Sequence, residues 1–110
     1  MDDVLAKAAE LGGAIRETEK FRALREAEGA VIKSPDSVKL AEALGTLHQE
    51  KATAAREGRT LGKEFEERFE RIAAAAELDP RLQALSSAQK AFQALIDSVN
   101  RTMIAELRPE

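Results

Sequence analysis

One histidine, a knot of glutamates and a pair of serines are the side chains whose types and spacing could do chemistry. His48 is the single imidazole in 110 residues. A general base needs a carboxylate to orient its second ring nitrogen, and a pocket to hold substrate. Glu50 and Glu42 lie two and six positions away, spacings that do not share a helix face with it. His48 therefore reads as a half-buried helical residue. Glu64, Glu66, Glu67 and Glu70 could attract a divalent cation, but Lys63, Arg68 and Arg71 interleave them, which is how a solvated face is built. Di-metal sites in helical bundles take two Glu-x-x-His motifs, and the residue three before His48 is Gly45. Ser86 and Ser87 have no adjacent His or Lys to activate a nucleophile. Gly12, Gly13, Gly58 and Gly62 fit neither the Walker nor the dinucleotide phosphate loop. Without cysteine there is no disulfide framework, thiolate nucleophile or cysteine-held metal. No catalytic, metal-binding or cofactor-binding residue is assigned, no cofactor is expected, and the chain reads as no enzyme.

Charge narrows the partners. Seventeen basic and 20 acidic residues give a net charge of −3, spread so that no segment is net positive. Nucleic-acid binders gather Lys and Arg on one face to neutralise phosphates, and often stack bases on aromatic rings. Four Phe, no Trp and no Tyr leave little to stack with, so no direct nucleic-acid contact is expected. The start of the chain lacks the basic and apolar runs of a secretory signal, and no apolar stretch approaches a membrane span. The expectation is a cytoplasmic protein without a membrane partner.

The elements that must position these residues all read as helix. Ala, Leu, Glu, Lys, Arg and Gln dominate, alanine alone accounting for 21 residues, and no run alternates with period two. A first helix spans Asp2 to about Arg16, with Val4, Ala8, Leu11 and Ile15 on one stripe. Gly12-Gly13 inside it either weakens the helix or lets another backbone come close. Thr18 is placed to cap a second helix bearing Phe21, Leu24, Ala27 and Val31, and whether the chain breaks or only kinks there stays open. Ser34-Pro35-Asp36 is the clearest helix start, a capping hydroxyl followed by a proline where no N–H is needed. Leu40, Leu44, Leu47, Lys51 and Ala54 form the row that follows, with Val38, Ala41 and His48 beside it, and Gly58 suits the left-handed stop. Thr60 restarts the pattern with Leu61, Phe65, Phe69, Ile72 and Ala76, leaving Glu64–Arg68 and Glu67–Arg71 as pairs on the wet side. Asp79-Pro80 repeats the cap-then-proline device.

The most regular pattern comes last: Leu82, Leu85, Gln89, Phe92, Ile96, Val99 and Met103 at alternating three and four spacing. A helix from Arg81 to Leu107 would be about 40 Å long at ~1.5 Å per residue, against a radius of gyration of about 13 Å for a compact domain of this size. The fold class is all-α: a single domain over residues 1–110, an elongated antiparallel hairpin or bundle of four to five helices with a long C-terminal helix, closing as a dimer. Its stripe resembles a coiled-coil seam, where Gln89 either fixes register as a buried amide or meets water at the rim. The candidate interface comprises Leu61, Phe65, Phe69, Gln89, Phe92, Ile96, Val99 and Met103.

Taken together, Leu11-Gly12, Ile15, Thr18-Glu19, Phe21, Leu24 and Ala27, followed by the Pro35-Asp36 break, form a familiar order. Leu47, Gln49 and the Gly58 break continue it, and Pro80, Ala88-Gln89, Phe92, Leu95-Ile96, Val99-Asn100 and Met103-Ile104 complete it. Over nearly its whole length the chain resembles the YlbF/YmcA/YheA family of small helical bacterial proteins. The resemblance implies a non-catalytic protein that forms dimers or mixed oligomers. Some members act as cytoplasmic regulators, assembling with partners that modulate RNase Y processing of mRNA and so influence competence, sporulation and biofilm formation. Some carry cysteines implicated in iron–sulfur cluster binding, a property that does not transfer to a cysteine-free chain.

The reading that results is a cytoplasmic regulator or adaptor acting by protein–protein association. Its expected partners are itself, other family members, and an RNase-associated complex. A secreted helical-hairpin effector or a small chaperone-like binding module is the alternative, against which the missing Trp-x-Gly turn counts.

Overall fold

A computed structural model describes residues 2–109. Five helices run in order: α1 (Asp2–Arg16), α2 (Glu19–Ile32), α3 (Pro35–Arg56), α4 (Lys63–Leu78) and α5 (Pro80–Ala105). No strand occurs among the described residues. The all-α reading holds, and the helix boundaries follow from the capping chemistry.

Thr18 settles the first junction as a break. Its hydroxyl donates to the carbonyl of Ile15 at 2.7 Å and accepts from the backbone N–H of Phe21 at 3.2 Å, so one side chain closes α1 and opens α2. Through Gly12 and Gly13, α1 continues without interruption. Ser34 caps α3 by accepting from the N–H of Ser37 at 3.3 Å, with Pro35 at the first helical position.

The end of α3 is a full Schellman motif. Gly58 sits at φ 68°, the N–H of Arg59 bonds the carbonyl of Ala54 at 2.8 Å, and that of Gly58 bonds Ala55 at 3.3 Å. The restart differs from the sequence expectation. Gly62, not Thr60, occupies the N-cap of α4, and no side chain caps it. A hydroxyl at position 60 lies too far upstream to reach the free amides of a helix beginning at Lys63. Asp79 caps α5 through Oδ1, which accepts from the N–H groups of Arg81 at 2.9 Å and Leu82 at 3.2 Å.

The chain forms two compact units. One spans Gly29–Ala84. In it α3 and α4 pair antiparallel, as the contacts Glu50–Arg68, His48–Phe69 and Ser37–Asp79 show. Val31, Leu47, Ala54 and Ala76 are its buried apolar residues, joined by Ser37 at 1% exposure. The Ser37 hydroxyl donates to Asp79 Oδ2 at 2.7 Å, and no buried side-chain polar atom among the described residues is left without a partner. Asp79 thus serves two elements, one oxygen tied to α3 and the other to the start of α5. The Ser37 hydroxyl is the foremost cause holding the Asp79 carboxyl below its ordinary 3.8. Partial burial opposes it, and the N–H groups of Leu82 and Arg81, with the Arg81 charge, add to it.

The other unit holds the described residues of Met1–Glu28 and Leu85–Glu110. Phe21 of α2 packs its ring against Phe92 of α5, centroids 5.7 Å apart. Further along, Leu11 of α1 shares a concavity with Val99, Thr102 and Met103 of α5. Ala27 is the one described residue of this unit that is buried.

Candidate protein-binding surfaces

In the Gly29–Ala84 unit, Leu61, Phe65 and Phe69 are half-buried. Phe69 is engaged from three sides: His48 meets it edge-on at 5.0 Å and 88°, the Lys51 Nζ lies 5.0 Å from its centroid, and Phe65 stands 6.1 Å away. Phe69 is therefore packed against α3. His48 is more exposed than its apolar-row position suggests, because it sits at the edge of the α3–α4 pair and touches Phe69 only side-on. Arg68 pairs with Glu50 across the helices at 3.6 Å rather than with Glu64 along its own. Glu64, Glu66, Glu67 and Glu70 are all exposed. Among the described residues no three His or carboxylate side chains gather as a metal site, and no helix is long and apolar enough to cross a membrane.

The second group of candidates lies in the other unit. Phe92, Ile96 and Val99 are half-buried, while Gln89 and Met103 are exposed. Within the single chain Gln89 thus meets water. Sequence reasoning missed the largest apolar exposure here: Val4 at 66%, Leu5 at 61%, Ile104 and Leu107 at 81% for the last. Val4 was assigned to the inward stripe of α1, of which only Leu11 and Ile15 are even half-buried. The signal was present in the composition of α1. Its stripe includes Ala8, a side chain too small to bury much surface.

Neither α1 nor α5 contains a buried residue. Isolated exposed apolar residues are ordinary, whereas two whole helices with no buried position are not.

Comparison with known proteins agrees with this architecture. No curated protein matches the chain in sequence. A protein of unknown function (DUF964) from Bacillus stearothermophilus has a similar fold, with a TM-score of 0.78 and 19% identity over 96% of this chain and 92% of the other. Bacillus subtilis RicA, in a crystal structure of its complex with RicF, superposes with a TM-score of 0.76 and 14% identity, covering 92% of this chain and 90% of that one. The family model described as control of competence regulator ComK, YlbF/YmcA, matches residues 4–108. The five-helix fold and the match over nearly the full length lead to one conclusion: the chain belongs to the YlbF/YmcA family.

Proposed function

We propose that this protein is a non-catalytic cytoplasmic regulator that works by holding other protein chains, itself first among them. One observation carries the reading: α1 and α5 contain no buried residue and expose Val4, Leu5, Met103 and Ile104, with Leu107 exposed just beyond α5. Burying apolar area stabilises by roughly 25 cal/mol per Å², so covering such faces with another protein is strongly favoured. A homodimer is the simplest closure. The complex of RicA, which shares this fold, with RicF supports assembly with a different protein chain; the reading extends this to other family members and an RNase-associated complex, as the family resemblance implies.

Two measurements test this reading. Sedimentation at micromolar concentration should give a species of at least twice 12.0 kDa. An affinity pull-down from the native host should recover family members together with an RNase. A monomer in the first experiment, with no such proteins in the second, would remove the proposal.

A further inference from the structure

Where α1 hands over to α2, the chain forms an open concavity of about 460 Å³ lined by Gly12, Ile15, Arg16, Phe21 and Arg25. The Thr18 cap joins its two walls, the last two turns of α1 and the first two of α2. Half-buried Ile15 and Phe21 are its apolar part, and exposed Arg16 and Arg25 bring its charge. Arg25 is positioned in advance: its guanidinium carbon lies 5.9 Å from the Phe21 ring centroid, and Nη1 reaches Glu28 Oε1 at 3.3 Å. A guanidinium carries five N–H donors, so most of them stay available. Arg16 has no ion-pair partner among the described residues, whereas its neighbour Glu17 is taken by Arg22 at 2.8 Å. Gly12 keeps the mouth open. A Cβ built on it meets nothing within 4 Å, so packing inside the chain does not call for glycine there. Glycine inside a helix is destabilising relative to alanine, and what its missing side chain leaves is unobstructed space.

We propose that this concavity is the docking point for an acidic segment of a different protein. An apolar side chain of that segment sits on Ile15 and Phe21, beside carboxylates held by Arg16 and Arg25. The proposal rests on the protein-association reading above and names a surface and the chemistry of the partner. Charge complementarity selects the occupant. The chain as a whole carries a net −3, so an aromatic ring flanked by two arginines stands out against its own background. Arginine grips a carboxylate through two parallel N–H bonds, a geometry that lysine cannot offer. Pockets for small molecules enclose most of their ligand, which an open bowl does not do, whereas a protein segment covers the bowl with its own flanks. A nucleic acid suits it less, because Glu17 and Glu28 stand beside the arginines and oppose a run of phosphates.

Fluorescence anisotropy with a labelled helical peptide of Leu and Glu tests this, against the same peptide with Lys for Glu and a single-stranded oligouridylate. The acidic peptide should bind the native chain, and the other two should not. Arg16→Gln combined with Arg25→Gln should weaken binding at least about tenfold, as the loss of two charge-assisted contacts requires. Gly12→Leu should weaken it by a similar factor while the melting temperature holds or rises, since the new side chain fills the concavity and favours helix. That variant separates a lost docking point from a lost fold. No binding of the acidic peptide, equal binding by the variants, or a preference for the oligouridylate overturns the proposal. So does a native dimer that becomes a monomer in the double variant, because the occupant is then a second copy. The pull-down from the native host separates this failure from that of the wider reading. Proteins recovered by the native chain and lost from the double variant support the docking point. If both recover the same proteins, the docking point is wrong and association stands; if neither recovers any, both are wrong.

Discussion

Asp79 and Ser37 show how much one buried contact organises. The carboxylate holds the N-terminus of α5 with one oxygen and the first turn of α3 with the other, across 42 positions of sequence. The cap was legible, since Asp-Pro before an apolar run is a helix start. The hydroxyl was not. Ser37 reads as a polar residue one turn into α3, and its burial depends on a corner that only tertiary packing creates. Ser37→Ala should destabilise the fold by about 1–3 kcal/mol, the usual effect of removing a hydrogen bond to a charged group, seen as a lower urea midpoint with unchanged slope. A second expectation concerns pH. A carboxyl whose folded value lies below 3.8 stabilises fully above that pH and loses the contribution as pH falls through the lowered value. Asp79→Asn, which keeps an acceptor for the cap, should therefore lose less stability than the native chain when acidified from about pH 5 to pH 2. Equal losses would mean that the carboxylate charge contributes nothing.

At the scale of the helix, punctuation was the readable part. Thr18, Ser34-Pro35, Gly58 and Asp79-Pro80 all terminate or start helices where their chemistry places them. Thr60 misled because the pattern of apolar residues resumes at Leu61, two residues before the helix does; local spacing does not reveal where the first hydrogen-bonded turn closes. Gly45 inside α3 and Gly58 just past its end should behave in opposite ways. Gly58→Ala forces a Cβ into the left-handed region at φ 68° and should cost about 1–2 kcal/mol. Gly45→Ala, in the exposed interior of the same helix with open space around it, should stabilise by about 0.5–1 kcal/mol. Thermal melts of the two variants check both signs.

For the molecule as a whole, the sequence showed the family and the fold class but not which surface is bare. The stripe of Phe65 and Phe69 looked available from spacing alone, yet His48 and Lys51 of α3 take up much of Phe69. Conversely, spacing put Val4, Ala8, Leu11 and Ile15 of α1 on one stripe, of which only Leu11 and Ile15 are half-buried. Periodicity reports which face of a helix is apolar; whether another helix reaches that face is a property of three dimensions. If association supplies part of the stability, the melting temperature should rise with protein concentration across the micromolar range, as it does for any folded state linked to binding. A concentration-independent melt would place all of the stability within one chain.

The bareness of α5 has a consequence for the life of the protein in the cell. A 26-residue helix with no fully buried position opens locally at lower cost than a core helix, and opened segments are where proteases cut. Orphan copies should therefore turn over quickly and assembled ones slowly, so that the amount present follows the supply of whatever pairs with it. A pulse-chase comparison with and without overproduced partner would read this directly, as a difference in half-life rather than in synthesis.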